Sequence, residues 1–166
     1  MDIGVLLARV VFGSLMAAHG SQKLFGWFGG YGIAGTGGFF ESLGFKPGRL
    51  FAAAAGFTEV VGGALLALGL LGPLGPAMII AVMVVAIATV HWQHGLFAQN
   101  NGMEVPLLYA VAAAGLALTG FGAYSLDAAL GLSWPPSVIW VALALGLLGG
   151  LGNLAIRKTE PAPRAV

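Results

Sequence analysis

The chain has 166 residues, of which 58% are hydrophobic and only 8% are charged. Soluble domains carry about 25% charged residues because their surfaces face water, so this composition predicts a surface that faces lipid. The net charge of +1 gives no reason to expect a nucleic-acid partner. The absence of cysteine excludes disulfides, thiolate nucleophiles and cysteine-ligated iron–sulfur clusters.

Five apolar stretches are long enough to cross a bilayer, which takes roughly 17–25 residues. They cover residues 3–25, 50–71, 74–92, 104–121 and 137–156. The first is preceded only by Met1 and Asp2, without the basic segment of a secretory signal, and is interpreted as a retained span. The sequence therefore predicts an all-α transmembrane helical bundle. Residues 1–131 are expected to form a four-span membrane domain, residues 132–156 a fifth span and residues 157–166 a disordered cytoplasmic tail.

The basic residues in or beside the first loop and in the tail all fall on one side of this five-span arrangement. They are Lys23, Lys46, Arg49, Arg157, Lys158 and Arg164. A four-span arrangement would place the first loop and the tail on opposite faces. By the positive-inside rule, the N-terminus is expected outside and the C-terminus in the cytoplasm. We expect an integral protein of a bacterial or archaeal plasma membrane, in contact with its lipid.

The first loop, residues 26–49, is rich in aromatic residues and glycine. With its flank it contains Phe25, Trp27, Phe28, Tyr31, Phe39, Phe40 and Phe45. One interpretation is an aromatic belt at the membrane interface with a short helix capped by Thr36 and ended at Gly44. The other is a re-entrant flap that covers a lipid-like ligand. The first is favoured here because Trp and Tyr concentrate at membrane interfaces.

Ionisable residues inside the predicted spans are candidates for function, since each costs at least about 2.5–3.5 kcal/mol at the bilayer centre. They are Arg9, His19, Lys23, Glu59 and His91. The three on the first span lie within roughly 80° of one another on a helix. The first two spans run antiparallel. At about 1.5 Å per residue, Glu59 therefore lies at a membrane depth between those of Arg9 and His19. We therefore predict a structural ion pair between Arg9 and Glu59.

Histidines also raise the question of a metal or haem. His91 and His94 share a helical face, but no third ligand is nearby in sequence, so we expect no metal site. A haem held by His19 and His91 from two helices is geometrically conceivable. Two histidines are too common a feature to favour it, and haem is not expected.

Other polar residues are interpreted as helix caps. Asn101-x-x-Glu104 is typical of a capping box, and Ser125 is expected to cap a short helix that ends at Gly131, with Asp127 favouring its N-terminus. Gly146 and Gly150 have the G-x-x-x-G spacing that allows close helix packing. The sequence does not tell whether the neighbouring helix is in this chain or another.

Motifs in chain order resemble the DoxX family. His19-Gly-x-x-Lys23-Leu-Phe-Gly26 ends the first span, and Glu59-x-x-Gly62-Gly63 lies in the second. Asn101-Gly-x-Glu104 opens a later helix, and Gly120-Phe-Gly122-x-Tyr-Ser125-Leu-Asp127 closes it. Many members of this group of small membrane proteins have four spans, so the fifth span and tail depart from the family pattern.

The resemblance implies a quinone-linked redox role, because the group includes the small membrane subunit of thiosulfate:quinone oxidoreductase. Candidate quinone-binding residues are His19, Lys23, Glu59 and His91. A flavin fingerprint and a cysteine cluster are both missing from the sequence, so we expect a membrane anchor that works beside a catalytic protein partner. The alternative is a non-catalytic accessory or assembly subunit that docks onto a larger membrane complex. A transporter is disfavoured because no inverted repeat is visible.

Overall fold

The computed structural model describes residues 2–158, and every regular element in that range is helical. The α-helices are α1 Asp2–Phe25, α2 Gly32–Ser42, α3 Gly48–Leu68, α4 Leu74–Ala86, α5 Glu104–Thr119, α6 Leu126–Ala129 and α7 Pro136–Ala155. Helix α4 continues through a π-helical turn, Ile87–His91, and a 3₁₀ turn, Trp92–His94. The predicted disorder of the tail concerns residues that, apart from Arg157 and Lys158, lie outside the described range.

Within residues 2–158, four helices are long and apolar enough to cross a membrane. They are Asp2–Phe25, Gly48–Leu68, Leu74–His94 and Pro136–Ala155. The protein is thus an integral membrane protein with an all-α transmembrane bundle, as the composition predicts. Helix α5 has 16 residues and is about 24 Å long at 1.5 Å per residue, less than the roughly 30 Å hydrocarbon core. Its predicted full crossing stays a prediction.

The long helices alternate in direction, which gives the bundle two distinct ends. Helix α1 packs on α3, α3 on α4, and α4 on both α5 and α7. At one end, the start of α1 meets the residues that follow α5, through Asp2 and Ala123. At the other end, the residue Lys158 after α7 contacts Gly44 after α2. We call the first the Asp127 end, because Asp127 contacts Gly69 after α3 there, and the second the Lys46 end, because Lys46 lies between α2 and α3.

The basic residues predicted to share one side do lie together, at the Lys46 end. Lys23 is in the last turn of α1, Lys46 and Arg49 flank the start of α3, and Arg157 and Lys158 follow α7. Arg164 lies outside the described residues. Which face of the membrane this end occupies stays a prediction.

Glycines bring the backbones of neighbouring helices into direct contact. A Cβ atom on Gly13 would lie 2.5 Å from the carbonyl oxygen of Gly63, and one on Gly20 would lie 2.5 Å from that of Gly56. These contacts join α1 to α3 and fix their relative register. On α7, Gly146 lies against Ala77 of α4 in the same way. The G-x-x-x-G spacing therefore serves packing within this chain, an answer that the sequence left open.

Apolar side chains fill the middle of the bundle and also cover its outside. Met16 of α1, Leu66 of α3 and Ile79 of α4 are completely or almost completely buried against one another. Helix α7 is the least buried of the four long helices, and side chains such as Leu145 and Leu148 are largely exposed. An apolar outer surface of this extent suits a hydrocarbon environment.

Candidate functional site

An apolar cavity with a charged wall lies at the Lys46 end. Its volume is about 290 Å³, and it is bounded by the end of α1, by α2, α3 and α4, and by Asn153 of α7. Its aromatic lining is Phe39, Phe40, Phe45 and Phe51. Its polar lining is Lys23, Thr58, Glu59, Thr89, His91 and Asn153. Three of the four candidate ligand-binding residues thus share one cavity.

An ion pair forms the charged wall of the cavity. The Nζ atom of Lys23 lies 2.6 Å from Oε1 and 2.5 Å from Oε2 of Glu59, so the ammonium group donates to both carboxylate oxygens. The Glu59 side chain is only 5% exposed, whereas Lys23 keeps 25% of its side chain exposed. The more deeply buried charge therefore depends on its partner for compensation.

This pair corrects the predicted ion pair between Arg9 and Glu59. The close contact of Gly20 with Gly56 and Val60 sets Glu59 near the level of Gly20 on α1. Arg9 is eleven residues before Gly20, or about 16 Å along the helix axis, and lies out of reach. Lys23 is less than one turn away from Gly20, and its flexible side chain extends to the carboxylate.

Arg9 instead holds the Asp127 end together. Its guanidinium donates hydrogen bonds to the backbone carbonyls of Ala67 and Tyr124. The Ala67 carbonyl is in the last turn of α3, where carbonyls lack helical partners and the helix dipole favours a cation. The Nε atom is buried and has no hydrogen-bond partner among the described residues. The buried cation is thus compensated by backbone dipoles.

The aromatic first loop contains a helix, α2, that covers the cavity. Phe39 and Phe40 on α2 and Phe45 after it face the space above α3 and α4. The predicted cap is wrong, because Thr36 is buried in the middle of α2 and Tyr31 precedes the helix without a side-chain cap. The predicted stop is close: the helix ends at Ser42, and Gly44 at φ +91° follows in a Schellman-type closure.

His91 reaches the cavity from an irregular part of α4. The π-helical turn Ile87–His91 widens the helix where Thr89, Val90 and His91 line the space. His91 Nδ1 lies 2.7 Å from the carbonyl oxygen of Asn101 and therefore donates to it. In the neutral ring this leaves Nε2 as a hydrogen-bond acceptor. Such turns are frequent at functional sites.

His19 lies outside the cavity lining. Its Nδ1 is 3.2 Å from Oε1 of Gln22, and its ring packs edge-to-face on Tyr109 of α5. The ionisable residues predicted to share one face of α1 therefore point in different directions: Lys23 turns toward α3, and His19 turns toward α5.

His94 is exposed, and its Nδ1 bonds the carbonyl of Val90 in its own helix. Within residues 2–158, no three metal-ligating side chains are grouped to hold an ion.

The predicted capping box at Asn101 is also wrong. Asn101 has φ +61° and ends a 3₁₀ turn, and α5 begins three residues later at Glu104 behind an uncapped Met103. The Glu104 carboxylate accepts a hydrogen bond from the N–H of Ala98 instead. Asn101 matters through its carbonyl, which positions His91. At α6, Ser125 does accept from the N–H of Ala128 and caps the helix.

Asp127 has a larger part in the fold than an interaction with its own helix. Its carboxylate accepts from the N–H groups of Leu71 and Gly72 at 2.8 and 2.7 Å, and from Nε1 of Trp134 at 2.9 Å. It therefore ties the turn between α3 and α4 to the segment before α7. The sequence offered no signal for these long-range contacts, nor for Thr58, Thr89 and Asn153 in the cavity.

The fold and the cavity define a small helical membrane protein with a charged, ligand-sized space near a bundle end. The family model of DoxX matches residues 4–92, more than half of the 166-residue chain, and the chain belongs to the DoxX family. No curated protein and no solved structure matches it. The matched segment contains Lys23, Glu59 and His91, whereas Asn153 and the motifs of residues 101–127 lie beyond it.

Proposed function

We propose that this protein is the small membrane subunit of a quinone-linked redox complex and binds the quinone head in the cavity at the Lys46 end. One observation carries the proposal: the ion pair of Lys23 and Glu59 opens onto an apolar, aromatic-lined space. A quinone ring needs apolar walls for its faces and hydrogen-bond donors for its carbonyl oxygens. The Lys23 ammonium supplies a donor, and the phenylalanines supply the walls.

The dimensions favour a ring with its tail outside. At about 290 Å³ the cavity lies just below the roughly 300–1,000 Å³ range of small-molecule sites. A prenylated quinone is much larger than its ring, so the tail would extend into the surrounding lipid. Phe39 on α2 lines the cavity and is 48% exposed, so the rim is open to the outside of the bundle and leaves a path for the tail.

Reduction of a quinone to a quinol takes two electrons and two protons. The chain has no cysteine, and the electrons are assigned to a redox partner protein. Glu59 and His91 are the groups at the cavity wall that can hold protons in transit. The subunit then binds and orients the ring while the partner carries out electron transfer.

The first test fills the cavity without removing a polar group. Ala86→Leu adds bulk to a residue that lines the cavity, and Ala88→Leu adds the same bulk to an exposed residue on the same part of α4. Quinone is extracted from each purified protein and quantified by mass spectrometry. We expect at least a tenfold loss for Ala86→Leu and parental content for Ala88→Leu. Equal content in both variants, or none in a folded parent, would overturn the proposal.

The second test uses the polar candidates. His91→Ala removes a group from the cavity wall, and His19→Ala removes the same ring from a position outside it. We expect His91→Ala to lower quinone content or partner-dependent activity several-fold and His19→Ala to leave both unchanged. A loss confined to His19→Ala would move the site to the interface of α1 and α5.

A non-catalytic docking role is the second candidate. A methyl group added at Gly149 or Gly152 of α7 would meet no neighbouring atom within 4 Å, so these glycines leave a smooth outer strip on the least buried long helix. Small residues of this kind allow close approach of another membrane helix. Co-purification in mild detergent would reveal a membrane partner, and Gly149→Leu should release it. A protein that purifies alone would count against this role.

A further inference from the structure

We infer that a second pocket at the Lys46 end binds the phosphate group of an anionic phospholipid. This pocket has a volume of about 410 Å³ and lies between the end of α2 and the residues after α7. Its basic lining is Lys46, Arg157 and Lys158. The rest of the lining comes from Glu41, Ser42, Leu43 and Gly44. The inference does not depend on quinone binding.

Backbone contacts hold the two sides of this pocket in place. Arg157 Nε donates to the carbonyl of Leu43, and the N–H of Lys158 donates to the carbonyl of Gly44 at 2.9 Å. A methyl group on Gly44 would collide with the Lys158 carbonyl oxygen, so the two segments touch. Arg157 and the backbone of Lys158 are therefore held against Leu43 and Gly44, close in sequence to Lys46.

The charge of the pocket fits an anion. Among the described residues that line the pocket, three side chains are cationic and one, Glu41, is a carboxylate. Oε1 of Glu41 already accepts a hydrogen bond from the N–H of Gly48 at 3.0 Å. A phosphate diester offers oxygens to both the ammonium groups and the guanidinium. The side chains of Lys46 and Lys158 are exposed, and within residues 2–158 neither makes a side-chain hydrogen bond or an ion pair that such a ligand would have to displace.

The position of the pocket favours a lipid as the source of the phosphate. It follows directly on α7, where Leu151 in the last part of the helix and Ile156 just after it are 47% and 59% exposed. Acyl chains can lie along this helix while the head group meets the basic residues at its end. Basic pockets at helix ends are typical sites for anionic head groups. A lipid there would join α2 to α7 and so hold α2 over the apolar cavity.

The test uses the full chain in nanodiscs of phosphatidylcholine alone or mixed with phosphatidylglycerol. Lipids retained after detergent release are counted by native mass spectrometry. We expect the parent to retain phosphatidylglycerol preferentially, and each of Lys46→Gln and Lys158→Gln to lower that preference about fivefold. Arg49→Gln, which removes a nearby charge that does not line the pocket, should leave the preference unchanged.

Three outcomes would overturn the inference. A parent without preference for phosphatidylglycerol would exclude the site. An equal loss in Arg49→Gln would show diffuse attraction to the surface rather than a pocket. Saturation of the site by inorganic phosphate, with no preference for either lipid, would assign it to a free anion. Circular dichroism of each variant in phosphatidylcholine nanodiscs verifies that the comparison is made between folded proteins.

Discussion

The two ends of the bundle both bury charged side chains, but they compensate them in different ways. At the Asp127 end, Arg9 donates to backbone carbonyls and Asp127 accepts from backbone N–H groups. At the Lys46 end, Lys23 and Glu59 compensate each other beside an open space. Backbone partners are fixed by the fold, whereas a side-chain pair beside a cavity can exchange partners with a ligand. Burial of charge alone therefore does not identify a functional site.

The largest expected effect tests the structural role of the Asp127 end. Arg9→Met removes two hydrogen bonds from a cation and leaves the carbonyls of Ala67 and Tyr124 unpaired. We expect the free energy of unfolding to fall by about 3 kcal/mol. Titration with sodium dodecyl sulfate in mixed micelles measures it. Leu7→Met, at an exposed site on the same helix, is the control and should change little.

The next effect tests the pair at the Lys46 end. Lys23→Met leaves the Glu59 carboxylate buried without a partner and should lower the free energy of unfolding by about 2 kcal/mol. Glu59→Gln leaves Lys23 without its carboxylate partner, but the ammonium group can reach water. This change should lower the free energy of unfolding by about 1 kcal/mol. The double variant should be more stable than Lys23→Met alone. Strictly additive losses would mean that the two side chains are not coupled.

A smaller effect is expected for Asp127→Asn. The amide oxygen keeps part of the acceptor capacity for Leu71, Gly72 and Trp134, but its NH₂ group faces other donors. We expect a loss of about 1–2 kcal/mol, measured by the same titration. Asp2→Asn, whose carboxylate accepts one hydrogen bond at 3.1 Å, should lose less. The reverse order of losses would contradict the role of Asp127 in holding the turn between α3 and α4.

The smallest effect separates the two histidines of the third span. His91→Ala removes the hydrogen bond to the Asn101 carbonyl and should lower the free energy of unfolding by about 1 kcal/mol. His94→Ala removes an exposed contact within its own helix and should stay within about 0.5 kcal/mol of the parent. Hydrogen exchange of residues 95–103 offers a second measurement, because His91 ties this loop to α4. Matching exchange in both variants would contradict the assignment.

The membrane class, the long helices and the inward-turning charges could be predicted from the sequence because the cost of charge in lipid is local and large. The partner of Glu59 could not, since counting residues from helix ends ignores the register that Gly20 and Gly56 impose. The cap at Thr36 failed for a related reason: local capping rules do not include the packing of α2 on α3. The π-helical turn near His91 has no single-residue signature.

The glycine contacts between α1 and α3 have a mechanical consequence. Since the two backbones touch at Gly13 and Gly63 and again at Gly20 and Gly56, these helices can slide or tilt against each other very little. The two helices therefore behave as one rigid unit, which carries both Lys23 and Glu59. Any widening of the neighbouring cavity to admit a bulky molecule must then come from displacement of α2 or α7, or from the irregular C-terminal part of α4, residues 87–94.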